Sequence, residues 1–204
     1  MSAENATIWT GLWGRVGGRK LESSGRAREL DTLSNRAADG LQGDETILDL
    51  GAGPGIVALA MVEKVPRGRV LALDLSEEML ARLRANAQAR GLSDRVETVH
   101  ADAVHTGLED DSVDLVTSNV LLHELVDLTP LFAELLRVLK PGGRVVLRDF
   151  RRSLVSRMMV RVFHGKGVVG ALTSEQLEDE LRRAGFVDVS VERDGWAHIG
   201  MGRA

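Results

Sequence analysis

The chain has 204 residues, 44% hydrophobic and 27% charged, with a formal net charge of −4; this suits one domain with a full core and argues against general nucleic-acid binding. It has no cysteine, which excludes disulfides, thiolate metal sites and cysteine nucleophiles. No apolar run reaches membrane-spanning length and the opening residues lack a signal peptide's basic and apolar parts, so a cytoplasmic protein is expected. Tyrosine is absent and aromatic residues make up 3%, so no aromatic cage for a quaternary ammonium is evident.

Residues 1–43 read as a helical cap. Trp9 and Trp13, four apart, would share a helix face. Gly14, Gly17 and Gly18 break that helix, and a second is expected from Gly25 to Ala38. The two tryptophans either pack on the main domain or cover a ligand site. That main domain is read as 44–204. It opens with Ile47, Leu48 and Leu50, a short branched apolar run that predicts a buried parallel strand. The chain then turns through Gly51, Ala52, Gly53 and Gly55 and leaves as an apolar run long enough for a helix. Glycines on alternate positions tolerate positive φ and carry no Cβ, so a ligand can lie against the main chain. The following helix points its free N–H groups at that ligand. The dinucleotide spacing G-x-G-x-x-G/A is not met, because Ile56 stands at its third position.

Arg69 to Leu75 predicts a second buried strand ending in Asp74, where an acid about twenty residues past the loop accepts from ribose hydroxyls. A strand-end acid facing a crevice contributes little to a core, so Asp74→Ala is expected to spare the fold. Ser76 is a good N-cap with Glu77 and Glu78 in the first turn, and that helix runs to about Arg90, where Gly91 stops it. Arg95 to Ala101 is the third strand, followed by Asp102-Ala103; residues 104–112 are a loop. Val113 to Asn119 is the fourth strand. Leu121 to Leu139 reads as one helix interrupted near Pro130, Lys140 to Gly143 as a turn, and Arg144 to Phe150 as the fifth strand. Thr173 to Ala184 is a helix capped by Thr173 or Ser174, with Glu175 or Gln176 placed for a capping box and Gly185 ending it. Phe186 to Arg193 and Trp196 to Met201 alternate as strands around Asp194-Gly195, a favoured two-residue turn.

The string from Asp49 to Gly55, DLGAGPG, resembles motif I (D/E-x-G-x-G-x-G) of the class I S-adenosylmethionine (SAM) methyltransferases. Leu135 to Asp149, LLRVLKPGGRVVLRD, resembles the stretch before and through strand five in the small-molecule enzymes of that family. With Asp74 and Asp102, the resemblance covers Ile47 to Phe150. It implies an α/β, Rossmann-like doubly wound sheet of seven strands, mostly parallel with a C-terminal antiparallel hairpin and helices on both faces. It implies SAM as cofactor and S-adenosylhomocysteine as product, held by Asp49, Gly51, Ala52, Gly53, Gly55, Asp74, Leu75, Met79, Asp102, Ala103 and Asn119. In that pattern Asp102 accepts from the adenine amino group and the N–H of Ala103 meets the ring.

His123, in Asn119-Val-Leu-Leu-His-Glu, resembles the histidine that many small-molecule methyltransferases carry beside the transferring methyl, and is the candidate general base. Asp149 is the second candidate. Each also has a structural reading: His123 as a packed residue near a helix start, Asp149 as a salt-bridge partner of Arg151 or Arg152. The N-P-P-Y motif of amino-methylating nucleic-acid enzymes is absent, since Val120 and Leu121 follow Asn119. Arg151 to Leu172 holds five cations and no acid, with Leu154, Val155, Met158, Met159, Val162 and Phe163 at helical spacing. It reads as a lid-like insertion over an apolar acceptor bearing an anionic group, as a helix closing the core, or as a peripheral membrane contact through 154–163. Three other functions stay open: a SAM-fold binding protein without methyl transfer, an RNA methyltransferase, and an NAD(P) oxidoreductase, the last disfavoured by Ile56 and the hairpin.

Overall fold

The computed structural model of the chain describes residues 27–153 and 170–204, with side chains from residue 32 onward. Trp9, Trp13 and the glycines around them lie outside the described residues, as does the apolar stripe from Leu154 to Phe163. The elements in chain order are α1 (Ala27–Ala38), β1 (Thr46–Leu50), α2 (Ile56–Lys64), β2 (Arg69–Asp74), α3 (Glu77–Ala89), β3 (Val96–His100) and β4 (Val113–Asn119). After a short 3₁₀ turn (Leu122–Glu124) come α4 (Thr129–Val138), β5 (Leu139–Phe150), α5 (Ser174–Ala184), β6 (Val187–Asp194) and β7 (Ala197–Arg203).

The seven strands form one sheet in the order β3-β2-β1-β4-β5-β7-β6. The first five run parallel, and β7 is antiparallel to both its neighbours. Alternate residues of a strand face opposite sides, and here both sides are covered. Ile47, Val70, Ala72, Leu115, Val146 and Ile199 pack with Leu33 of α1, Leu59 and Met61 of α2 and Leu83 of α3. Leu48, Leu50, Leu71, Leu73, Val116, Val145 and Leu147 pack with Leu131 and Leu135 of α4 and Leu177 and Leu181 of α5. Double coverage explains why the central strands are near-continuous apolar runs instead of alternating ones. The expected architecture is the observed one. Among the described residues, no helix is long and apolar enough to cross a membrane.

The helix signals also hold. Ser76 caps α3, accepting from the N–H of Met79 at 3.4 Å, and Thr173 forms a reciprocal capping box with Gln176 on α5, which ends at Gly185 with φ 112°. Three boundaries differ. Leu121 to Leu139 is not one helix: α4 begins at Thr129 with Pro130 in its first turn, where a missing N–H costs nothing, whereas mid-helix its ring would clash with the preceding turn. Lys140 to Gly143 is carried inside β5 as a register shift, Val113 pairing with Leu139 and Leu115 with Arg144. The hairpin turn is Gly195-Trp196, one residue later than expected, because Asp194 pairs with Ala197; only Gly195, at φ 58°, needs positive φ, as a II′ turn requires.

Candidate functional site

Parallel strands bring their carboxyl ends to one edge, and the loop from Gly51 to Gly55 sits there at the head of α2. All three of its glycines have positive φ, but two of them do different work. A Cβ at Gly55 would lie 2.6 Å from Leu83 Cγ, so this glycine lets α2 and α3 pack. Among the described residues, a Cβ at Gly53 would meet nothing within 4 Å; it would fill space directly over the loop. The N-cap Gly55 provides no side-chain cap, so N–H groups at the very start of α2 remain for a ligand, while that of Ala58 faces the Asp49 carboxylate.

The end of β2 holds this loop in shape. Leu73 O accepts from Ala52 N at 2.9 Å, and the Asp74 carboxylate accepts from Gly53 N and from Ser76 N, both at 2.8 Å. Burial raises the Asp74 pKa, against the N–H donors and nearby His100 that lower it. The expectation that Asp74 contributes little to the fold is therefore corrected: it ties the glycine loop to the cap of α3. Each carboxylate oxygen has a second lone pair, which is what a ribose hydroxyl requires.

Asp49 is 1% exposed. Its Oδ1 accepts from the Thr117 hydroxyl at 2.9 Å, while Oδ2 is buried and, among the described residues, makes no hydrogen bond of ordinary geometry. Burial pushes its carboxyl up to about 7. Leu75 presents its carbonyl 3.0 Å from His100 Nε2. Met79 and Ala103 are buried, so these two offer packing and backbone rather than an open side chain. Asp102 Oδ1 accepts from Val104 N at 3.2 Å, a turn-capping bond.

The two candidate bases form one unit. His123 Nδ1 lies 2.9 Å from Asp149 Oδ1, and His123 N donates to Asp149 Oδ2 at 3.2 Å. Both side chains are buried. Asp149 is thus a partner of His123, which replaces the expected pairing with Arg151 or Arg152. Burial alone would depress the imidazole pKa; the Asp149 carboxylate, with Glu124 adding, more than reverses this and raises it above the ordinary histidine value. Glu124 Oε1 stands 4.0 Å from the other ring nitrogen, Nε2. Phe150 meets the imidazole edge-on at 4.8 Å. On β7, directly opposite Asp149, the buried His198 has its pKa lowered, chiefly by burial.

Across the sheet from this dyad, Arg148 is 2% exposed. Its Nε donates to Asp194 Oδ2 at 2.6 Å, its Nη1 to Asn119 Oδ1 at 3.1 Å, and its guanidinium lies 4.4 Å over the Trp196 ring. Asn119 is therefore turned toward Arg148 by its carbonyl oxygen. The next residue, Val120, has φ 64°, a conformation that is a genuine outlier for a β-branched side chain; its N–H donates to Arg148 O at 2.7 Å. Sequence reasoning missed Thr117, Glu124, Arg148, Asp194 and His198. A cation directly after the apolar run Val145 to Leu147 was the available signal for Arg148, since a charge in a buried strand requires a partner.

A family model described as "Methyltransferase domain" matches residues 48–147. The malonyl-[acyl-carrier protein] O-methyltransferase of Methylococcus capsulatus is 36% identical over 149 residues, covering 72% of this chain and 53% of that protein. The demethylmenaquinone methyltransferase of Clavibacter sepedonicus is 44% identical over 106 residues, covering 52% of this chain and 41% of that protein. The chain thus spans about half the length of these curated relatives. Among solved structures, a phosphoethanolamine N-methyltransferase of Haemonchus contortus in complex with phosphomonomethylethanolamine and S-adenosylhomocysteine superposes with a TM-score of 0.69 at 26% identity, covering 81% of this chain and 38% of that one.

Proposed function

Because the chain belongs to the class I SAM-dependent methyltransferase family, we propose that it transfers a methyl group from SAM to a small-molecule acceptor. The observation that carries this is the meeting, at one edge of the sheet, of the glycine loop tied to Asp74 with the buried His123–Asp149 pair. Among the described residues, the site fits the cofactor: open space over Gly53, N–H groups without a side-chain cap at the start of α2, and a buried carboxylate oxygen of Asp49 that makes no hydrogen bond of ordinary geometry. Asp74 would take the ribose hydroxyls, Asp102 with the N–H of Ala103 the adenine, and Gly51 to Gly55 the remainder, with Leu75, Met79 and Asn119 around it.

When bound, SAM supplies a methyl group on a cationic sulfur, so the protein's own work is to orient the acceptor, exclude water and handle one proton. Asp149, holding His123 by Nδ1 and by its main-chain N–H, fixes the tautomer in which Nε2 is the proton-accepting nitrogen. Nε2 takes the proton of an acceptor hydroxyl or amine as its oxygen or nitrogen attacks. The named relatives differ in acceptor, malonyl-[acyl-carrier protein] in one and demethylmenaquinone in the other. For this chain the acceptor is read from the cation-rich stretch 151–172, as an apolar molecule with an anionic group, and the compartment as the cytoplasm.

Calorimetry on the wild type and on Asp74→Ala tests the cofactor assignment. Bonds to a charged acceptor are worth ~1.5–3 kcal/mol, so SAM affinity is expected to fall roughly ten- to a hundredfold. The variant should also melt earlier, because Gly53 N and Ser76 N lose their acceptor. Unchanged SAM affinity, or wild-type binding of NAD in place of SAM, would remove the assignment. Labelled SAM with phenols, carboxylates and amines then tests transfer; SAM binding with no labelled product across these classes would favour a binding protein.

A further inference from the structure

We propose that Asp49 makes the glycine loop discriminate between ligands by charge: it holds a proton in the free protein and releases it to solvent when a sulfonium cation occupies the loop, but not when a neutral thioether does. The proposal rests on the reading of this loop as a SAM site. Cofactor and product share every group except the transferred methyl and the positive charge that goes with it, so a site that grips both equally would be blocked by its own product. A titratable acid beneath the loop supplies a charge-dependent difference.

The geometry is specific. Asp49 is the penultimate residue of β1, two positions before Gly51, and is 1% exposed. One oxygen is fixed by the Thr117 hydroxyl of β4 at 2.9 Å. The other is buried and, among the described residues, makes no hydrogen bond of ordinary geometry, its nearest polar neighbour on α2 being the main-chain N–H of Ala58; a site so poorly supplied with donors favours the protonated acid. The groups facing it are few. From β2 comes Asp74, a second acid whose charge opposes ionisation; from β4 comes Thr117; from α2 comes the main chain at Ala58, which favours the anion. Among these there is no cation to hold Asp49 ionised, so a positive charge has to arrive with the ligand. The Asp49 carboxyl is pushed up to about 7, mainly by burial, so the exchange falls near neutral pH.

The sign follows from linkage. An acid whose folded-state pKa lies above its unfolded value holds extra protons in the native state, so ligand-free stability declines as pH rises from about 4 toward about 7. A cationic sulfur prefers the ionised acid, so SAM affinity rises over the upper part of that range while the contribution of Asp49 to S-adenosylhomocysteine binding stays level.

The test titrates the full chain with each ligand by calorimetry between about pH 6 and about pH 8. The ratio of the two Kd values removes most of the titration of the amino-acid moiety they share. It is expected to shift in favour of SAM by roughly three- to tenfold across the range, with proton release detected as a buffer-dependent enthalpy for SAM only. Asp49→Asn should make the ratio flat. Thr117→Val keeps the acid but removes the bond that favours its ionised form, so the midpoint should move to higher pH. A pH-independent ratio in the wild type, or an unmoved midpoint in Thr117→Val, overturns the proposal alone. Binding of neither ligand at any pH overturns the cofactor reading and this proposal with it.

Discussion

Replacing His123 with Ala is expected to lower kcat by roughly 10²–10⁴-fold while SAM affinity stays within a factor of about two. Asp149 and Glu124 raise the imidazole pKa, so the free-base form accumulates only above the ordinary histidine range. The wild-type rate should therefore rise with pH along a limb displaced upward from about 6.5, and His123→Ala should lose that limb. Asp149→Asn removes the anion that raises the pKa, so its limb should move to lower pH on a reduced plateau. The same shift enters stability: a histidine raised in the folded state stabilises below its unfolded pKa, and this is lost as pH climbs through the folded value. His123→Asn is the deciding control, because it can hydrogen-bond but cannot accept a proton at neutral pH. Near-normal kcat in that variant would show that the ring only orients the acceptor.

Asp194→Ala should cost about 3–5 kcal/mol of stability, a fall in Tm on the order of 10 °C. The reason lies in Arg148, which is 2% exposed and would keep its charge in the sheet after losing the carboxylate at 2.6 Å. Asn119 and the Trp196 ring stay in place, and what is lost is the charge-assisted bond from Arg148 Nε to Asp194. Substituting both members, Arg148→Met with Asp194→Leu, should recover most of the loss, since a buried pair replaced by apolar groups is often neutral. Urea unfolding of the single and double variants decides the matter. A single variant within about 1 kcal/mol of wild type would mean that solvent already screens the pair.

Much of this fold is legible in the sequence because its signals are local. Ser76, Thr173 with Gln176 and Gly185 declare helix ends through bonds made within a few residues, and doubly buried strands declare themselves as apolar runs. The glycine loop, Asp49 and Asp74 are legible because one short segment and one strand tip contain them. The rest depends on pairs far apart in the chain. His123 and Asp149 are 26 residues apart, Thr117 and Asp49 are 68 apart, and Arg148 reaches Asp194 across 46. Whether His123 and Asp149 are rival bases or one unit is decided by β4 and β5 pairing in parallel, which no local pattern encodes. His198 joins them only because β7 inserts between β5 and β6.

Val120, held at φ 64° just beyond β4, bears on how this protein would respond to directed evolution. A strained backbone of this kind costs of order ~1–3 kcal/mol and persists where its surroundings enforce it. Glycine or asparagine would occupy the same conformation with less strain. Yet this peptide joins Asn119 to the segment that delivers His123, and its N–H is fixed to Arg148 O. A library screened for heat resistance should therefore collect Gly or Asn at position 120, while one screened for turnover should keep Val. Sequencing the survivors of both screens would read the difference directly; the same residue at 120 in each would mean that the strain is incidental to the chemistry.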